Sequence, residues 1–183
     1  MRGDVLCFVG YNKFHHPNRN AKIYKVLSHQ FLETDYSIWV DGNITLLVDP
    51  EVLIKEFLGD ADIAVWKHFN RDCIYEEHEA AKGLYEDGII HNENVHAETD
   101  EQISRYNRNK FPKNYGLGEC NVIIRKHSPQ VEAFNNYWWS EICRWSFRDQ
   151  LSFPYVINKF PKLKVNFIKG NPREHKYFKY IPH

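Results

Sequence analysis

The sequence predicts an α/β sandwich built on a largely parallel sheet, in a single domain over residues 1–183. Three observations predict it. Apolar runs of strand length recur at residues 5–9, 36–40, 63–66, 120–125 and 165–168. Stretches with helical spacing of apolar residues separate several of these runs. Asp49-Pro50 and Ser128-Pro129 each set a capping residue ahead of a proline, the pairing that opens a helix.

The elements follow in order. Residues 5–9 read as a buried strand, and the loop 10–18 carries Pro17 as a breaker. A helix is expected over 19–32, with Ile23, Val26, Leu27 and Phe31 on one face and Lys22, Lys25 and His29 on another. The strand 36–40 ends in the turn Asp41-Gly42-Asn43, and 44–48 resumes extended structure. Asp49-Pro50 starts a short helix to Leu58, and 63–66 is the next strand. Asp72 caps a helix to about Tyr85, and the polar middle holds a helix over 98–108. After the strand 120–125, Ser128-Pro129 starts a helix to about Trp145. Residues 148–159 read as a further helix that Pro154 bends or interrupts. A last strand at 165–168 precedes a basic, aromatic, irregular tail.

Composition narrows the function. A chain of 183 residues can bury a substantial core. Its 24 basic and 24 acidic residues cancel, so no global charge argues for a nucleic-acid or membrane partner. Aromatic content is high at 15%; a sugar-binding cleft would use such rings, but most of them are expected in an ordinary core. The four cysteines, Cys7, Cys73, Cys120 and Cys143, form no CxxC pair, and three lie in apolar stretches, as expected of a reducing compartment. No run has signal-peptide or membrane-span character, so a cytoplasmic location is expected.

Four clusters could carry chemistry. Asp41 ends a strand, where in an α/β sheet a metal and a diphosphate could sit; Asp-Gly is equally an ordinary turn dipeptide. Lys13, Arg19, Lys22 and Lys25 are the densest basic group of the first third. They read as a diphosphate clamp at a helix start or as a solvated helix face. His68, Arg71 and Asp72 follow a strand and offer an acid–base pair with a phosphate or sugar-hydroxyl binder, Asp72 serving also as a helix cap. Arg148-Asp149-Gln150 sets a carboxylate beside an amide, as sugar hydroxyls require. Asp149 could take a proton or steady an oxocarbenium-like centre, or simply favour a helix start. His175 and His183 in the tail make no metal motif by spacing. No P-loop, dinucleotide fingerprint or nucleophile elbow occurs.

Together these blocks resemble a glycosyltransferase-like domain family found in plants, bacteria and large viruses. The resemblance rests on the basic helix 19–25, on Tyr36 to Gly42 followed by Val48-Asp49-Pro50, and on His68, Arg71, Cys73 and Glu76-Glu77. It continues in Gly118-Glu119 before Val122 to Arg125, in Trp138 to Glu141, and in Arg148 to Phe153. The resemblance implies a GT-A type nucleotide-binding three-layer sandwich, with a central, mostly parallel mixed sheet flanked by helices. It implies a nucleotide sugar, UDP-linked, as donor, a glycan hydroxyl as acceptor, and Mn2+ as cofactor, with Mg2+ the alternative. Asp41-Gly42-Asn43 falls where such enzymes carry an Asp-x-Asp metal motif; Asn43 lacks the second charge, and a tail histidine, His183 or else His175, would complete the site. Lys13, Arg19, Lys22 and Lys25 would serve the nucleotide or diphosphate. His68, Arg71, Asp72, Glu119, Asp149 and Gln150 would line the sugar pocket, with Asp149, Gln150 and Glu119 nearest the chemistry. Two other functions share the pattern: a non-catalytic sugar- or nucleotide-binding module, and a metal-dependent hydrolase of phosphate or amide bonds.

Overall fold

The computed structural model describes residues 10–86 and 93–182. The strand expected at 5–9 and His183 lie outside them. Helix α1 (Pro17–Val26) starts earlier and stops sooner than the sequence pattern suggests. Pro17 does not break the chain but occupies the first turn, where its missing N–H costs nothing, and the His16 ring accepts from Asn18 N at 3.2 Å. A 3-10 turn (Ser28–Gln30) leads to β1 (Tyr36–Val40) and the short β2 (Ile44–Leu46). Helix α2 (Pro50–Leu53), capped by Asp49 as its sequence demands, runs on into a π-helical turn (Ile54–Leu58). Then come β3 (Ile63–Lys67), α3 (Ile74–Glu86), α4 (Glu93–Arg108) and β4 (Gly118–Lys126). Helices α5 (Pro129–Arg144) and α6 (Asp149–Lys159) follow, Pro154 lying within α6. The chain closes with β5 (Val165–Ile168) and with β6 (Phe178–Tyr180), a strand in the tail that the sequence reading left irregular.

The main sheet has the order β1-β4-β3-β5 and corrects the expected mostly parallel arrangement. Among the described strands, β4 runs antiparallel to both β1 and β3, and only β3 and β5 are parallel. The reason lies in the connections. Among the described residues two helices, α3 and α4, separate β3 from β4, and two more, α5 and α6, separate β4 from β5. Among these long connections, a pair of helices returns the chain to the end it left, so the next strand runs back. The sequence pattern itself places two helices in each of these connections, at 72–85 and 98–108 and at 128–145 and 148–159, and each pair implies a reversal where strand–helix alternation alone suggests a parallel crossover.

One face of the sheet packs on α1, α5 and α6 through a core that includes Val26, Ile123, Phe134, Trp138 and Phe153. The other face, with Ala64, Trp66, Val122 and Ile124, packs on the α2 segment and on the ribbon formed by β2 and β6. β4 is the spine. Its Gly118 lies so close to Phe153 and Val65 that a Cβ there would meet their carbons at 3.2 Å. Its Arg125 is wholly buried and donates to the carbonyls of Lys25 and Val26, the orphan acceptors at the end of α1, and to Asn135 Oδ1. A central strand thereby grips the C-terminus of the helix that carries the basic cluster.

The start of α5 offers a direct test. Ser128 Oγ accepts from Val131 N at 3.3 Å. Replacing it in Ser128→Ala should lower stability by about 1 kcal/mol, and Ser128→Asp should retain it, as read by urea denaturation.

Candidate active site

The carboxyl ends of β1 and β3 and the amino end of β4 share one edge of the sheet, because β4 runs backward between them. That edge receives Asp41 from the end of β1, His68 from the end of β3 and Glu119 from the start of β4. The segment 148–150, entering α6, reaches across it.

A cavity of about 290 Å³ lies between α1 and this segment, lined by Asn18, Lys22, Lys25, Trp39, Asp41 and residues 147–150. Lys22 and Lys25, one helical step apart, both approach Asp149 Oδ2, at 2.9 and 2.7 Å. Lys25 Nζ also lies 3.3 Å from Asp41 Oδ1, which accepts from Trp39 Nε1 at 2.7 Å. Lys25 is buried, and burial alone would depress its pKa. Asp149 and Asp41 outweigh that and hold it above the ordinary lysine value. Burial would likewise raise the Asp149 carboxyl, but Lys22 and then Lys25 hold it far below the usual carboxylate range. The site therefore keeps a permanently ionised carboxylate between two ammonium groups.

A second polar network adjoins the first. Buried Glu77 accepts from Arg71 Nε at 2.8 Å and from Arg148 at 2.9 Å. Buried Glu119 accepts from Gln150 Nε2 at 3.2 Å and pairs with Arg173. The His68 ring lies 3.8 Å from both carboxylates. Desolvation depresses its pKa below the ordinary 6.5; Glu119 and Glu77 oppose this, and Arg71 and Arg173 reinforce it. Three consecutive residues tie the networks together: Arg148 reaches Glu77, Asp149 the two lysines, and Gln150 Glu119. A shallower cavity of about 300 Å³ opens beside them, lined by residues 67–72 and Glu76.

The structure thus gathers Lys22, Lys25, Asp41, Asp149 and Gln150 at one cavity, and His68, Arg71 and Asp72 at the next, with Glu119 joined to both groups through Gln150 and His68. It does not bring in Lys13, which is exposed in the 10–16 segment. Arg19 points elsewhere, pairing with Glu98 at 2.7 Å and donating to the carbonyls of Ile142 and Trp145, so that it ties α1 to α4 and to the end of α5. Asn43 sits in the turn, its carbonyl accepting from Ile181 N at 2.9 Å. His175 packs among Phe57, Trp66, Tyr177 and Phe178, in the layer covering the opposite face. His183 lies outside the described residues, although pairing of β6 with β2 carries the tail to the Asn43 turn two residues before it. Sequence reasoning missed Trp39, Glu77, Arg148 and Arg173 as site residues. Trp39, Glu77 and Arg148 stood inside the resembling blocks, but Arg173 carried no signal short of the β2–β6 pairing.

Among the described residues no group of three or more His, Cys, Asp and Glu side chains could hold a metal ion. None of the described helices is long and apolar enough to cross a membrane.

A family model described as TOD1/MUCI70, glycosyltransferase-like domain, matches residues 6–181. The chain is similar to the Arabidopsis thaliana protein named probable hexosyltransferase MUCI70, at 35% identity over 146 residues, covering 77% of this chain and 25% of that protein. It is also similar to the Arabidopsis thaliana protein named alkaline ceramidase TOD1, at 29% identity over 164 residues, covering 86% of this chain and 36% of that protein. The chain thus spans well under half the length of these curated relatives. No solved structure matches it.

The depressed His68 pKa has a consequence for stability. Between its folded pKa and 6.5 the unfolded chain binds the proton more readily, so this contribution is complete above about pH 6.5 and is lost as pH falls toward the folded value. Urea denaturation at pH 7.0 and 5.5 should show lower stability at 5.5, and His68→Gln should reduce that difference.

Proposed function

The chain belongs to the TOD1/MUCI70 glycosyltransferase-like domain family, and we propose that it transfers a sugar from a UDP-linked donor to a glycan hydroxyl. The observation that carries this reading is the polar cavity in which Lys22 and Lys25 from one helix face meet Asp41 and Asp149 at the sheet edge. Two ammonium groups one helical turn apart suit a diphosphate, and a strand-end carboxylate beside them suits its counter-ion.

A divalent cation fits this donor set in one way. Asp41 supplies one hard, partly exposed carboxylate, and Mg2+ or Mn2+ characteristically binds through one or two carboxylates plus substrate phosphates. Asp41 would hold the ion with the donor diphosphate, and Asn43 and His183 would extend the set from the turn and the tail. The ion would offset charge on the departing nucleoside diphosphate.

The protein's own groups divide the remaining work. Asp149, held ionised by Lys22 and Lys25, makes a poor proton acceptor near pH 7 and a strong electrostatic partner for positive charge growing at the anomeric carbon. Gln150, Glu119, His68, Arg71 and Asp72 would meet sugar hydroxyls from the adjoining network. Trp39 holds Asp41 in place and presents its indole to the cavity wall. A second reading, hydrolysis of an amide bond, draws support from the relative named an alkaline ceramidase.

A panel of nucleotide sugars, with and without Mn2+, separates these readings by nucleotide release. Metal-dependent release that falls by about 100-fold in Asp41→Ala supports transfer. Release unchanged by Asp41→Ala contradicts the metal assignment. Calorimetric binding without release for any donor points to a binding module, and fatty-acid release from an N-acyl substrate without nucleotide sugar points to the hydrolase.

A further inference from the structure

A second cavity, of about 340 Å³, also has Trp39 in its lining. It is bounded by Tyr24, Phe31 and Leu32 from the end of α1 and the turn after it, and by β1. Trp39 lines both cavities.

The walls are apolar, but the lining also includes Ser28, Ser37 and Arg125. Ser28 Oγ and Ser37 Oγ are 3.0 Å apart, and each approaches His127 Nε2, at 3.4 and 3.0 Å. Arg125 is wholly buried, and no carboxylate among the described residues pairs with it. Among the described residues it donates only to the carbonyls of Lys25 and Val26 and to Asn135, and its Nε–H has no hydrogen-bond partner there. Burial lowers its pKa to about 10, which leaves it charged at pH 7. A buried cation is ordinarily paired, and here only backbone and amide dipoles offset it. An apolar cavity whose lining includes two hydroxyls and a guanidinium offset by dipoles alone matches one kind of ligand.

We propose that this cavity binds an amphipathic carboxylate, its apolar chain against Phe31, Leu32 and Trp39 and its acid group toward the Ser28–Ser37 hydroxyls over Arg125. The charge of the head supplies what Arg125 lacks, and the chain covers apolar wall. The site does not depend on the transfer reading, because none of its residues except Trp39 lines the donor cavity. Occupancy would nonetheless be felt there, since Trp39 Nε1 donates to Asp41.

Titration of the whole chain with octanoate, followed by calorimetry and by the Trp39 indole N–H resonance, tests the proposal. Octanoate should bind saturably at one site and shift the Trp39 indole resonance. Octanol should bind at least about 10-fold weaker, the difference a charge-assisted hydrogen bond supplies, and acetate should not bind. Leu32→Trp, which fills the cavity, should abolish binding, and Ser28→Ala/Ser37→Ala should weaken it while leaving the octanol affinity unchanged. Absence of octanoate binding, equal affinity for octanol, or wild-type binding by a folded Leu32→Trp variant would each overturn the proposal. Should Leu32→Trp not fold, an unshifted Trp39 indole resonance in the saturated wild-type protein overturns it equally.

Discussion

Lys25 is a buried ammonium group with two carboxylates around it, Asp149 at 2.7 Å and Asp41 at 3.3 Å. Each partner comes from a different element: Lys25 from the last turn of α1, Asp41 from the end of β1, Asp149 from the first residue of α6. The desolvation of such a charge is expensive, and losing one partner of a buried pair typically costs about 3–5 kcal/mol. The contact therefore constrains where three elements meet. It also brings the cations and carboxylates of the first cavity to one place. Arg125 supports it from behind, donating to the Lys25 carbonyl and fixing the end of the helix from which Lys25 projects.

Topology supplies the rest of the site. Because pairs of helices connect β3 to β4 and β4 to β5, the middle strand runs backward and presents its first residues where its neighbours end. Glu119 thus arrives beside His68, and Gln150 joins Glu119 to the lysine-bound Asp149. In an all-parallel sheet the start of that strand would lie at the opposite edge, far from Asp41. The tail plays the matching role on the other face. β6 pairs with β2 and brings Arg173 to Glu119 and Ile181 to the Asn43 turn.

Local signals in the sequence were legible where one residue and its neighbours decide the outcome. Asp49-Pro50 and Ser128-Pro129 start helices as their side chains require, and Tyr36–Val40 forms the strand its composition predicts. Lys22 and Lys25 share a face through helical spacing alone, and they do meet in one cavity. Strand direction follows from the two helices in each long crossover, which the sequence pattern does show; strand–helix alternation taken without that count suggests a parallel sheet instead. Arg19 illustrates the other limit: it belongs to the basic cluster by sequence, yet carbonyls at the far end of α5 and Glu98 on α4 take its guanidinium. Arg173 acquires its place through a contact with a residue distant in the chain, and so does the link of Glu77 to Arg148, which no local pattern encodes.

The claim on which the account rests is that Lys25 and Asp149 act as one unit. A double-mutant cycle of Lys25→Met and Asp149→Leu, followed by urea denaturation at pH 7, measures that directly. Each single change should cost several kcal/mol. The double variant should be more stable than the sum of the two losses allows, with a coupling of at least about 1 kcal/mol. Additive losses, with no coupling beyond about 0.5 kcal/mol, would contradict the account.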